Sequence, residues 1–486
     1  MPHVVTQSCV GDGSCVYSCP VNCIQPTPDD PSFELAEMLY IDQMACVDCG
    51  ACVRACPVDA IKPHTLLAEG ERLFVSLNAA YHEIPRSRPS LAPVRPALVV
   101  RDRGEPLRVA IVGAGPASMY AAEEVLTIPS AHVSVYERLR MPYGLVRSGV
   151  APDHRRTRRV SRRLDRIRQH PRLEMHYGVE VGRAVTHHDL LETHHAVIYG
   201  VGAATDRRLD IPGAESPRVV SATQLVAWYN GHPEYRDRGF DLSHPRVVVI
   251  GNGNVALDVA RILTLDPREL AQSEISPVAL AALRASRVEE VVVVARRGPE
   301  HAAFTLPELV GLIATPGVAI GVASDELYET GTVDAKLDLL RGLEPPAEIG
   351  RRIVLRFGLT PVRVHEPGTL ELANPDGSPA ETIDAGLVVT SIGSRGQPVS
   401  GLPFDRASGT VPNTAGRVSD KPGAYVVGWI KRGPSGFIGT NKGCAQDTVA
   451  TLVADYNAGL LAPPRAAARR PRARSHKIPA IRAIKP

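Results

Sequence analysis

Long apolar runs are missing from this sequence of 486 residues. No stretch approaches the roughly 20 consecutive apolar residues that a bilayer-crossing helix needs, so no membrane insertion is expected. A basic start followed by an apolar core is missing too: the chain opens Met1-Pro-His-Val-Val-Thr6. An export leader has both features, and their absence predicts a cytoplasmic protein. Net charge is small, +3 with histidine neutral. A general affinity for nucleic acid needs a far stronger basic balance, and none is expected. Cysteine is nearly absent from most of the chain. Eight of nine fall before Pro57, and Cys444 stands alone beyond it. In a leaderless chain such crowding points to metal rather than to disulfides. The remaining composition, 44% hydrophobic and 22% charged, is that of a globular protein. The length calls for about three domains.

The crowded cysteines are ordered. Cys46-Val-Asp-Cys49-Gly-Ala-Cys52-Val-Arg-Ala-Cys56-Pro57 reads C-x2-C-x2-C-x3-C-P, the bacterial ferredoxin run in which the fourth cysteine serves the other cluster. Two of these pairs would satisfy zinc, which has no use for the third cysteine or the proline. An earlier run repeats the pattern imperfectly: Cys9-Val-Gly-Asp12-Gly-Ser-Cys15-Val-Tyr-Ser-Cys19-Pro20. Crossed ligation then assigns Cys46, Cys49, Cys52 and Cys19 to one four-iron (4Fe-4S) cluster. The other takes Cys9, Cys15 and Cys56, with Asp12 at the fourth corner, as a three-iron (3Fe-4S) or four-iron cluster. Cys23 is left over and reads as a buried thiol beside the cluster. Residues 1–65 resemble the two-cluster bacterial ferredoxins, an α+β fold. From 66 to 106 prolines and arginines alternate, and the later part reads as a semi-rigid linker.

Val109-Ala-Ile-Val-Gly113-Ala-Gly115-Pro-Ala-Ser118 is strand, glycine turn and helix start. Such a helix end presents free N–H groups to a dinucleotide pyrophosphate. About two dozen residues on, Glu137 ends a second strand where an acid binds a ribose hydroxyl. This dinucleotide is read as FAD. The Pro- and Gly-rich loop 138–154 is a natural cover for it. The following helix, 157–169, is strongly basic. It is either a solvated face or a docking face for an acidic electron-transfer protein. A strand at 176–181 and another at 196–202 are expected in the same sheet.

A second fingerprint, Gly251-Asn252-Gly253-Asn254-Val255-Ala256, follows the strand that starts at Arg246. Its partner strand, 291–295, ends in Arg296-Arg297 instead of an acid. Paired guanidinium groups suit a 2′-phosphate, so NADP is expected over NAD. The stretch 267–287 reads as a helical insertion before that strand. Strands at 385–393 and 424–429, then a helix over 444–457, return the chain to the first dinucleotide site.

Residues 107–460 resemble the adrenodoxin-reductase-like branch of ferredoxin–NADP reductases. The matching stretches are GAGPAS, PYGLVRSGVAPDH, GNGNVALDVARIL, ARRGP and GWIKRGPSGFIGTNK. The whole chain resembles the actinobacterial form with a ferredoxin fused ahead of the reductase. The resemblance implies that Glu137, Leu145, Val181, Trp429 and Gly436-Phe437-Ile438 contact FAD. It implies that Asn252 to Val255, Arg296, Arg297, Glu308 and Gly436 contact NADP. His154, Trp429 and Glu308 are the expected catalytic residues. Relatives can carry a second acid one turn after the Glu308 position. This chain has Gly311 there, so a proton relay assigned to that acid does not carry over.

The expected organisation is therefore an α+β ferredoxin domain (1–65), a linker (66–106), and an α/β flavoprotein with two dinucleotide-binding domains. In the latter, a Rossmann-like FAD domain (107–212 and 385–460) holds an inserted NADP domain (213–384). A basic tail, 461–486, is expected to be disordered. The activity implied is NADPH–ferredoxin oxidoreduction: hydride passes from NADPH to FAD, then single electrons pass to the clusters or to a ferredoxin or other one-electron acceptor protein. An input subunit of a larger glutamate-synthase-like reductase and a non-catalytic redox sensor are the alternatives.

Overall fold

Both glycine fingerprints follow strands that have parallel neighbours on both sides in the computed structural model, which describes residues 2–84, 89–323, 334–344, 350–366 and 368–465. The tail beyond Arg465, expected to be disordered, lies outside these. The first sheet has seven strands, ordered Asn413–Thr414, Arg417–Val418, Ala424–Val426, Ala196–Tyr199, Arg108–Val112, His132–Glu137 and Leu173–Tyr177. Strands from both sides of the insertion share it, so this domain is discontinuous. The β-branched run Val109–Val112 is buried on both faces, as a central parallel strand requires. Helices Pro116–Leu126 and Thr440–Ala458 pack together against it. Leu173–Tyr177 replaces the strand expected at 176–181, because Gly178 at φ 73° ends the extended run. The later helix begins at Thr440 rather than near Cys444.

The second sheet is all parallel: Val219–Ser221, Leu387–Thr390, Arg246–Ile250, Glu290–Val294, Arg352–Arg356 and Ala319–Val322. This corrects one boundary. Leu387–Thr390, expected in the FAD domain, pairs with Val247–Ile250. The chain crosses back only after it, where Ser394–Arg395 pairs with Thr205–Asp206. An antiparallel three-stranded sheet, Thr360–His365, Thr369–Ala373 and Pro379–Asp384, packs its apolar residues on the second sheet. Helices Pro267–Leu270 and Pro277–Ala285 form the expected insertion.

The N-terminal domain repeats itself. Short helices Ser14–Tyr17 and Ala51–Ala55 each start from a left-handed glycine, Gly13 and Gly50. His3–Val5 pairs with Ile61–Pro63, and Ile24–Gln25 with Tyr40–Ile41. The expected linker is more structured than its prolines indicate. Helix Leu73–Tyr81 belongs to the ferredoxin domain and buries Phe74 and Asn78. Asn78 bonds Val5 and Ile41 and so ties two strands together. Residues 89–106 run as a strap along helix Thr440–Ala458: Arg95 pairs with Asp447, and Val99 and Arg101 bond Asn457.

Among the described residues, no helix is long and apolar enough to cross a membrane.

Candidate active site and cluster sites

Gly113 holds φ 89°, and a Cβ there would meet the Gly200 carbonyl at 2.7 Å, so only glycine makes this turn. Gly115 caps helix Pro116–Leu126 with open space where a side chain would stand. Pro116 lacks only an N–H that the helix start leaves unpaired in any case. Ser118 is buried and donates to the Gly200 carbonyl at 3.2 Å. The Glu137 carboxylate accepts the amides of Ala114 and Leu139, each at 2.8 Å. Burial raises its pKa, and those amides and Arg138 work against the rise. Each oxygen keeps a lone pair for a ribose hydroxyl. This cradle fits a dinucleotide.

Leu145 is exposed at the head of a short helix in the 138–154 loop, and Val181 is partly exposed beyond strand Leu173–Tyr177. Trp429 opens helix Trp429–Arg432, its indole N–H held by the Ser435 carbonyl at 3.0 Å. Gly436 has φ 78° and lies against Thr440, whose hydroxyl accepts the Phe437 amide at 3.0 Å. Ile438 packs on the core of the first sheet.

At the second fingerprint, Gly251 has φ 106°, and a Cβ would overlap the Ser391 carbonyl. Gly253 caps helix Asn254–Thr264 with open space beside it. Asn252 and Asn254 accept the amides of Ala303 and Thr305 at 3.4 and 2.8 Å, and Val255 is exposed. Arg296 and Arg297 follow strand Glu290–Val294 after the buried Ala295, and both are exposed. Their positive charges at a sheet end suit a phosphate.

His154 and Glu308 come together, with Nε2 and Oε1 3.8 Å apart. Two further residues that the sequence reading passed over join them. His154 Nε2 lies 3.7 Å from Asp258 Oδ1 and 2.8 Å from an Arg261 guanidinium nitrogen. Arg261 also pairs with Asp258 and Asp153. Asp258 and Arg261 left a signal: two charged residues, three apart, in the otherwise apolar helical run Val255–Leu263. The arrangement has the ligand types of a metal site, but the guanidinium already supplies its cation. Burial and the neighbouring Glu308 push the Asp258 carboxyl well above the usual carboxylate range, with His154 opposing. Burial lowers the pKa of His154, but Asp258 and Glu308 overcome it and raise the net value. Glu308 Oε1 is buried without a hydrogen-bond partner among the described residues. Trp429 is held by the Ser435 carbonyl and, among the described residues, shares no hydrogen bond with this group.

Gly311 has no acid to offer, and a Cβ there would overlap the Gln7 amide of the ferredoxin domain. Gln7, His154, Arg261 and Gly311 line one cavity of about 350 Å³.

In the ferredoxin domain, Cys19, Cys46, Cys49 and Cys52 line one small cavity. Cys9, Cys15, Cys56 and Asp12 form a second group, close enough for their charges to act on one another. The backbone repeats around the crossed pair: Cys19 Sγ accepts the Cys23 amide at 3.3 Å, and Cys56 Sγ the Ala60 amide at 3.2 Å. Burial pushes Cys9 and Cys52 up to about 12. Two groups of converging soft donors, four thiols in one and three thiols with a carboxylate in the other, fit iron–sulfur ligation. Cys23 is buried and lies 3.3 Å from Cys19 Sγ. Cys444 is buried elsewhere and accepts the Gly428 amide.

The basic helix has a partner within the chain. Short helix Arg155–Arg158 and helix Val160–Arg168 face the acidic ferredoxin domain. Arg156 pairs with Glu71, Arg159 with Asp59 and Arg163 with Asp12. The Gly439 amide donates to the Val10 carbonyl at 2.7 Å, and a Cβ at Gly439 would overlap the Gly11–Asp12 backbone. Glu37 accepts the Leu306 amide at 2.7 Å, so the ferredoxin domain touches both reductase domains.

Comparison with known proteins agrees with this layout. The family of 4Fe-4S dicluster domains matches residues 8–60, and that of pyridine nucleotide-disulphide oxidoreductases matches 107–298. A probable ferredoxin/ferredoxin–NADP reductase of Mycobacterium tuberculosis is 53% identical over 96% of this chain and 85% of its own. Human mitochondrial NADPH:adrenodoxin oxidoreductase is 39% identical over 73% of this chain and 80% of its own. The structure of Mycobacterium tuberculosis FprA in complex with NADPH superposes with a TM-score of 0.69. It covers 74% of this chain and 87% of that one at 41% identity. Fingerprints, cysteine runs and near full-length identity converge: the chain belongs to the ferredoxin/ferredoxin–NADP reductases.

Proposed function

We propose that the chain is an NADPH–ferredoxin oxidoreductase that passes electrons through its own ferredoxin domain to a one-electron acceptor protein. The observation that carries this is the seating of Val10–Asp12 on Gly439, which sets one cysteine group against the glycine-rich turn of the first dinucleotide domain. FAD, when bound, accepts a hydride and releases electrons singly.

The chain's residues bind, orient and shield. Gly113, Gly115 and the following helix start take the pyrophosphate, and Glu137 takes the ribose. Leu145, Val181, Trp429 and Gly436 to Ile438 wall the ring system. Asn252 to Val255 and Gly436 orient NADPH, with Arg296 and Arg297 on its 2′-phosphate. His154 and the Asp258 carboxyl, both faced by Glu308, are the groups that can hold a proton beside it. Cys19, Cys46, Cys49 and Cys52 hold a 4Fe-4S cluster. Cys9, Cys15 and Cys56 hold a 3Fe-4S or 4Fe-4S cluster with Asp12 at the remaining corner. The cytoplasm is the proposed location.

Anaerobic protein should use NADPH to reduce both an artificial dye and a ferredoxin. Flavin-loaded protein that binds NADPH without turning over would overturn the reading in favour of a sensor. A requirement for a second subunit would favour the input-subunit alternative.

A further inference from the structure

Asp12 is the one oxygen donor in a group otherwise made of thiols, and its carboxylate is already engaged. Oδ1 accepts the Ser14 amide at 3.2 Å. Oδ2 accepts the Ser14 hydroxyl and Arg163 Nη1, the latter at 3.2 Å. The Asp12 side chain is 5% exposed. Arg163 belongs to the reductase, and its other nitrogen is fixed by both Glu123 oxygens at 3.1 and 3.0 Å. Its guanidinium also lies over the Tyr120 ring. Lys442, likewise of the reductase, reaches the Asp12 carbonyl and the Ser14 hydroxyl. Oδ2 already accepts two donors and can bind iron only by giving one up, whereas Oδ1 keeps one lone pair. Carboxylate is also the harder and weaker donor to cluster iron.

We propose that Arg163 is a positioning residue that holds Asp12 off the fourth iron position. The reductase thereby keeps the site of Cys9, Cys15 and Cys56 at three irons while the ferredoxin domain is docked. This rests on the reading of those cysteines as a cluster site. Iron content at that corner then depends on the domain interface as well as on the cysteine run. Loss of the Arg163 contact releases Asp12 to ligate a fourth ferrous ion, which also bonds three sulfides of the three-iron cluster once that cluster has taken up one electron, supplied in the test by dithionite.

The test uses the full chain, wild type and Arg163→Gln, with Arg163→Lys as the conservative variant. Each is incubated anaerobically with ferrous iron and dithionite and reoxidised. The electron paramagnetic resonance signal of the three-iron cluster is then followed. Wild type should keep its signal. Arg163→Gln should lose it on the order of tenfold more readily, the factor that one charge-assisted hydrogen bond represents. Arg163→Lys should fall between them. Equal uptake in wild type and Arg163→Gln, both carrying two clusters by iron and sulfide analysis, would overturn the clamp. So would wild type purified anaerobically with two four-iron clusters. Analysis giving a single cluster per chain would instead remove the underlying site reading, and the clamp with it.

Discussion

The residues proposed to meet NADPH differ in how they can be tested. Arg296 and Arg297 are exposed side chains at a strand end, so removing them leaves the fold alone. Replacing both by alanine should raise KM for NADPH far more than for NADH, at about 1.5–3 kcal/mol per charge-assisted contact. Steady-state kinetics with both coenzymes check this, and equal losses would refute a phosphate clamp. Asp258 makes a pH prediction. Its folded pKa is raised chiefly by burial, so folding favours the protonated form. Its share of stability is complete below the ordinary carboxylate value of about 3.9 and is lost as pH rises through the raised folded value. Denaturant midpoints across about pH 5 to 9 should fall more for wild type than for Asp258→Asn. Parallel profiles would contradict the buried-carboxyl account.

Local spacing made some elements legible, and others depended on distant partners. Both fingerprints and both cysteine runs could be read because a cofactor dictates residue types at fixed intervals. Strand Leu387–Thr390 was visible as a strand, but nothing in Leu-Val-Val-Thr tells which of two sheets it joins. Its hydrogen bonds to Val247–Ile250 decide that. Strands Thr360–His365 and Pro379–Asp384 went unread because one face of each is exposed and polar. Helix Leu73–Tyr81 was hidden by the prolines that follow it. Asp258 and Arg261 escaped notice because each matters only through His154, a hundred residues away in the chain. At this scale Asp455 offers a test. It ties helix Thr440–Ala458 to the sheet by accepting the Tyr425 hydroxyl at 2.6 Å and Arg417 Nε at 2.7 Å. Asp455→Asn should destabilise the protein by about 2 kcal/mol, read from urea unfolding. A change below about 0.5 kcal/mol would mean the tie is dispensable.

The molecule as a whole is a reductase whose basic face is covered by its own ferredoxin domain. The Arg156–Glu71 and Arg159–Asp59 pairs are partly exposed, so each contributes little alone and is screened by salt. Reversing both arginines to glutamate sets like charges against Glu71 and Asp59. X-ray scattering should then show a larger radius of gyration, and proteolysis should quicken in the 89–106 strap. An unchanged radius at low salt would mean that the contacts at Gly439, Gln7 and Glu37 suffice alone.

The strap along helix Thr440–Ala458 has a kinetic consequence. On the proposed route donor and acceptor domains never have to meet by diffusion, so transfer across the Gly439 contact should be first order. Diluting the protein should leave the half-time of internal reduction unchanged, whereas delivery to an external acceptor slows in proportion to the acceptor's concentration. A stopped-flow dilution series therefore separates the two stages without any mutation. On the proposed route, a free ferredoxin added in excess meets a basic face whose Arg156, Arg159 and Arg163 are already paired, and it should take electrons only from the fused domain.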